Sequence, residues 1–97
     1  MKRIDHCRRA LETFGEEYEH VHVWLDELFG VPGFGIWHRA VRHNMKGVER
    51  VREKWGDTAA EVAKQHILDD MRVAGDPSDD ESCIAEDADD YRRRGYF

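Results

Sequence analysis

Ninety-seven residues carrying 21 Asp or Glu against 15 Lys or Arg, a net charge of −6, are enough for one domain and lack the basic footprint of a general nucleic-acid binder. No apolar run is long enough to span a bilayer, and the opening MKRIDHCRRALE has basic residues without the apolar stretch of a secretory signal. Cys7 and Cys83 match no zinc or redox spacing, so the chain reads as a reduced, cytoplasmic protein with no membrane partner.

In chain order, Asp5 is positioned to cap a first helix that runs to about Phe14 and stops at Gly15. Glu16 to Phe29 reads as a second helix, with Tyr18, Val21, His22, Leu25, Leu28 and Phe29 on its apolar face and acids in its first turn. The breaker-rich Gly30–Gly35 turn leads into the longest helical pattern, Gly35 to Trp55. There Trp37, Val41, Val48, Val51 and Trp55 fall on one face, with Asn44 in the middle of the stripe. This stretch is expected to organise the fold, with Trp37 and Trp55 in the core. Gly56 ends it, Asp57 suits the cap of a fourth helix over about Thr58–Val73, and Gly75 closes that helix. Asp76-Pro77 signals a fifth helix to about Arg93, strongly acidic and thinly apolar. With no strand pattern, the expected fold class is all-α, a small bundle of four to five helices. Residues 1–75 form the bundle domain in this reading, and 76–97 an acidic C-terminal segment packed on it.

Charge is unevenly placed. Residues 1–68 balance eleven acids with eleven bases, whereas residues 69–90 hold ten acids and only Arg72 as a base. Arg39, Arg42, Lys46 and Arg50 make a basic stripe on the third helix. It reads either as a solvated face or as the place where the C-terminal acids fold back, through pairs that are individually weak and salt-sensitive.

Six histidines is many for this length. His22-x-x-x-Asp26 and His66-x-x-x-Asp70 repeat one spacing, and a four-residue step puts both groups of each pair on one side of a helix. His43 flanks the stripe of the third helix. His22, Asp26, His43, His66 and Asp70 are therefore the candidate ligands of a divalent metal, Zn, Fe or Mn, held between helices. The same spacing also suits structural His–Asp pairs that bind nothing. His6 and His20 have no partner pattern and are expected at the surface.

The pieces Phe14-Gly15, Tyr18…His22-x-Trp24-x-Asp26, His38-Arg39-Ala40-x-Arg42-His43, Gly47, Trp55-Gly56 and Gln65-His66 with Asp70 resemble a family of small bacterial and phage proteins of unknown function. The likeness covers about residues 5–70 and implies that His22, Asp26, His38, His43, His66 and Asp70 act as a set. The chain departs from the family pattern at His43-Asn44, where a His pair is usual, and after Gly75. No activity comes with the resemblance. Two functions remain: a metal-binding domain whose ion would serve hydrolysis, and a non-enzymatic module, phage- or mobile-element-derived, that docks on a protein partner.

Overall fold

The structure, a computed structural model, describes residues 1–28, 31 and 38–96, without the side chains of His38 and Arg39. The Gly30–Gly35 turn (apart from Val31), Trp37 and the start of the expected third helix lie outside the described residues. Among these residues the chain is all α with no strand: α1 Arg3–Phe14, α2 Glu19–Asp26, α3 His38–Arg42, α4 Met45–Trp55, α5 Asp57–Ala74, a 3-10 turn Glu81–Cys83 and α6 Ala88–Arg93. No helix among them is long and apolar enough to cross a membrane.

The centre of the fold is α5 and not the stretch before it. Over 18 residues it buries Ala59, Ala60, Val62, Ala63, His66, Ile67, Asp69, Asp70 and Met71. The small side chains at its start let α4 pack closely along it, while α1 and α2 cover its other sides. Val21, Leu25, Val48, Val51 and Ile84 are fully buried around it, and burying their apolar area favours folding.

Over its described residues, 38–55, the expected single helix is two helices. The break falls at Asn44, whose backbone is extended (φ −149°, ψ 174°). Its side-chain oxygen accepts from Gly47 N at 2.9 Å, and its amide donates to Ala40 O at 2.8 Å and Val41 O at 3.3 Å. One side chain thus satisfies backbone groups of the helix that ends and of the helix that begins, which is how an N-cap competes with helix continuation. The break also re-aims the apolar stripe. Val41 is 39% and Trp55 40% exposed, so Trp55 is not a core residue. Its ring meets His20 edge-on at 4.9 Å. Trp55→Ala is expected to cost about 1 kcal/mol in a denaturant titration, far from the roughly 3–5 kcal/mol of a fully buried ring. A loss in that higher range would return Trp55 to the core.

Other boundaries moved for local reasons. Lys2, not Asp5, precedes α1, and Asp5 lies in its first turn, where a carboxylate favours the dipole. α2 starts later than expected because Tyr18 takes a left-handed backbone (φ 52°) just before it. Gly56, not Asp57, precedes α5. Gly15 and Gly75 end their helices in the left-handed region, as expected. The expected helix from Pro77 is replaced by the 3-10 turn and a six-residue α6 that Asp87 caps by accepting from Asp90 N at 2.8 Å.

The C-terminal segment reaches the third-helix region through its backbone. Met45 N donates to Ala85 O at 2.8 Å and Lys46 N to Glu86 O at 3.2 Å, so the first turn of α4 is capped by carbonyls of that segment. Ile84, Ala85, Tyr91 and Tyr96 bury beside it. Of the expected basic stripe, Arg42 turns the other way: its guanidinium donates to Trp24 O at 2.7 Å and to Glu27 at 3.1 Å, and lies 4.3 Å from the Trp24 ring centroid. Among the described residues the segment's acids pair with Lys64, Arg93 and Arg94.

Candidate metal centre

Four elements converge on one buried polar cluster. α1 supplies His6, α2 supplies His22 and Asp26, the bend after α3 supplies His43, and α5 supplies His66 and Asp70. All five residues singled out from spacing are brought together. His38 falls outside the described side chains, and His20 is exposed as expected. His6 is the residue that sequence reasoning misplaced: it is 1% exposed, its ring stacks on His66 at 3.6 Å between centroids, and its Nε2 lies 3.1 Å from Asp70 Oδ1.

The two carboxylates face inward with imidazoles on several sides. Asp70 Oδ1 accepts from His6 and from the Met1 ammonium at 3.0 Å. That leaves Oδ2 facing His43 Nε2 and His66 Nε2, both at 3.2 Å. Asp26 Oδ1 lies 3.4 Å from the same two nitrogens. Burial pushes both carboxyls up, but His43 and the other imidazoles around them outweigh it, so each is held far below the usual carboxylate range.

The histidines are not equivalent. His22 Nε2 lies 3.0 Å from the Glu17 carbonyl, which can only accept, so Nε2 carries the hydrogen. Burial, with His66 and His6 adjacent, pushes its pKa down to about 4, so at neutral pH its Nδ1 is bare. His66 Nδ1 lies 3.0 Å from that bare nitrogen and must donate to it. A neutral His66 then has its lone pair on Nε2, within 3.2–3.4 Å of two carboxylate oxygens, neither of them aligned for a hydrogen bond with it. Such a contact is repulsive unless a proton or a cation sits in it. Burial pushes the His66 pKa down, yet Asp26 and Asp70 more than compensate and raise it.

Two groups of side chains are close enough to share an ion, with ligand atoms within 4.8 Å of one another: His6, His22 and His66, and Asp26, His43, His66 and Asp70. Ring geometry separates them. Imidazole lone pairs lie in the ring plane. The His6 and His66 rings are nearly parallel (16°), so their lone pairs do not converge, and the His22–His66 approach is already filled by a hydrogen bond. The His43 and His66 rings are tilted by 54°, and their Nε2 atoms lie 3.2–3.4 Å from the same pair of oxygens. A tetrahedral ion with bonds of 2.0–2.1 Å has ligand–ligand edges of roughly 3.3–3.4 Å. The four nitrogen-to-oxygen edges of the second group measure 3.2, 3.2, 3.4 and 3.4 Å.

The pH dependence of the ion-free protein follows from the same contacts. An unfolded His22 takes up its proton near 6.5, the folded one only near 4. Between those values the unfolded chain binds more protons, so stability falls as pH drops from 6.5 to 4. His66 acts oppositely: its contribution is complete below 6.5 and is lost as pH rises through its elevated folded value. Comparing the wild type with His22→Gln by urea titration isolates the first effect. The stability difference is expected to move in the variant's favour between pH 6.5 and 4, and a constant difference would contradict the assignment.

Residues 1–88 match the model of the family described as Domain of unknown function (DUF6915), so the chain belongs to that family. The match extends past Gly75, beyond the span of about 5–70 over which the sequence likeness was read. No curated protein and no solved structure matches the chain.

Proposed function

We propose that this family member binds one divalent metal ion through His43 Nε2, His66 Nε2, Asp26 Oδ1 and Asp70 Oδ2. The observation that carries the reading is the set of four inter-ligand distances of 3.2–3.4 Å around a buried nitrogen that lacks a hydrogen-bond partner. Charge supports it: with neutral imidazoles the two carboxylates put two negative charges in a largely buried site, which one divalent ion balances. Two nitrogen and two oxygen ligands without sulfur suit Zn, Fe or Mn. His22 and His6 stand one layer outside this set.

Hydrolysis is the reaction such an ion would serve, by making bound water a nucleophile at neutral pH. Asp26, whose side chain is 28% exposed while the other three ligands are 4% or less, marks the side from which water and substrate reach the ion. A second reading, an ion-free structural network, is favoured by one observation. Asp70 already lies within 3.0–3.2 Å of four nitrogens. Calorimetric titration of untagged, chelator-stripped protein with Zn, Fe(II) and Mn(II) separates the two. One ion per chain is expected, with binding lost in His66→Gln and kept in His20→Gln. Absence of binding heat, with a melting curve that chelator and metal leave unchanged, would favour the ion-free network.

A further inference from the structure

We infer that His22 is a positioning residue: together with the Glu17 carbonyl it fixes His66 as the tautomer that points a bare Nε2 at Asp26 and Asp70. The inference rests on the metal reading for its purpose but not for its geometry.

A histidine between helices has two neutral tautomers, and only one leaves the metal-facing nitrogen free. The choice is made by what the other nitrogen meets. At His66 the other nitrogen, Nδ1, meets His22 Nδ1 at 3.0 Å. That contact holds in two ways, with the hydrogen on either ring. The Glu17 carbonyl removes one of them. Because it accepts at 3.0 Å from His22 Nε2, the hydrogen of a neutral His22 resides there and its Nδ1 is left as an acceptor. A backbone oxygen at the start of α2 therefore dictates the proton position on a side chain of α5, through one intervening ring. Both rings are 1% exposed, so water does not offer Nδ1 of His66 another partner. The role differs from direct ligation, in which His22 Nδ1 would itself bond the ion and could not accept from His66.

The sequence carries the arrangement locally. Glu17 lies in the short connection before α2, and Tyr18, with its left-handed backbone, turns the chain so that the Glu17 carbonyl meets His22 five residues on. His22 then sits in the first part of the helix whose next turn carries Asp26, so the residue that sets the tautomer and a residue that faces the resulting lone pair share one face.

The test uses the untagged full chain with 15N-labelled histidine, metal-free and loaded with Zn or 113Cd. Long-range 15N–1H spectra, recorded for the metal-free protein above the raised His66 pKa, are expected to show His22 protonated at Nε2 and His66 at Nδ1 in both states. With cadmium, scalar coupling to the metal is expected at His66 Nε2 and absent at His22. His22→Leu, which removes the acceptor, is expected to lower Zn affinity about 10–100-fold and to leave His66 as a mixture of tautomers. His22→Gln, whose amide can both accept from His66 and donate to Glu17, is expected to recover most of the loss and a single tautomer. A cadmium coupling at His22 Nδ1, or a His22→Leu protein that binds Zn as tightly as wild type with His66 still protonated at Nδ1, would overturn the inference. If the wild type binds no ion, the metal reading fails, and the metal-free spectra still decide the tautomer relay. Should His22→Leu not fold, the wild-type and His22→Gln spectra carry the decision.

Discussion

Gly47→Ala is expected to be among the most destabilising single substitutions in the chain, costing about 3 kcal/mol or more. A Cβ at this position would lie 1.9 Å from the Arg42 carbonyl oxygen and 2.8 Å from its carbon. Both are backbone atoms, so no side-chain rotation relieves the overlap. The close approach exists because Asn44 folds the chain back on itself, with Gly47 N donating to its side-chain oxygen. To accept a methyl group, α3 and α4 would have to separate, and the bend that carries His43 into the cluster would open. The expected result is a large drop in denaturation midpoint together with loss of metal binding. A loss below about 1 kcal/mol would mean that the break at Asn44 is looser than described.

Asp70→Ala has the second large effect. Asp70 receives His6, His43, His66 and the Met1 ammonium, and it is 3% exposed. Removing it strands several buried donors and leaves Asp26 as the sole carboxylate of the ligand set. The expected cost is about 3–5 kcal/mol, the range found when one partner of a buried ion pair is deleted. Metal binding should be lost with it. Asp70→Asn separates charge from shape: it keeps the size of the side chain and is expected to cost less stability while still abolishing binding. If Asp70→Ala bound the ion as the wild type does, the ligand assignment would be wrong regardless of its stability.

How much of this was legible in the sequence depends on which interaction makes each feature. The His–Asp repeats at 22/26 and 66/70 were readable because a four-residue step is a helical property, independent of where the helix packs. His43 was readable from its place beside the stripe, although the reason it turns inward was not. That reason is Asn44, whose residue type fits a stripe position poorly and a cap well, and whose capping signal lay inside an otherwise unbroken helical pattern. His6 was hidden by its neighbours. Two large apolar residues of α1, Ile4 and Leu11, are 65% and 47% exposed, while the small Cys7 and Ala10 turn inward beside His6 and Phe14 packs against the core. Ile4 and Leu11 therefore point to the wrong face of that helix. The available signal was that His6 stands four residues before Ala10 and eight before Phe14, on one face of the helix. For the acidic C-terminal segment, composition suggested charge docking; the contact that caps α4 is made by the carbonyls of Ala85 and Glu86, and main-chain acceptors leave no trace in composition.

The central claim is that one ion joins His43, His66, Asp26 and Asp70. X-ray absorption at the metal edge, on untagged protein loaded with one equivalent of Zn, tests it most directly. The predicted result is a shell of four nitrogen or oxygen atoms at about 2.0–2.1 Å with the outer-shell scattering of two imidazoles, reduced to one imidazole in His43→Gln. A six-oxygen shell without imidazole scattering, sulfur in the first shell, or a spectrum that His43→Gln leaves unchanged would contradict it.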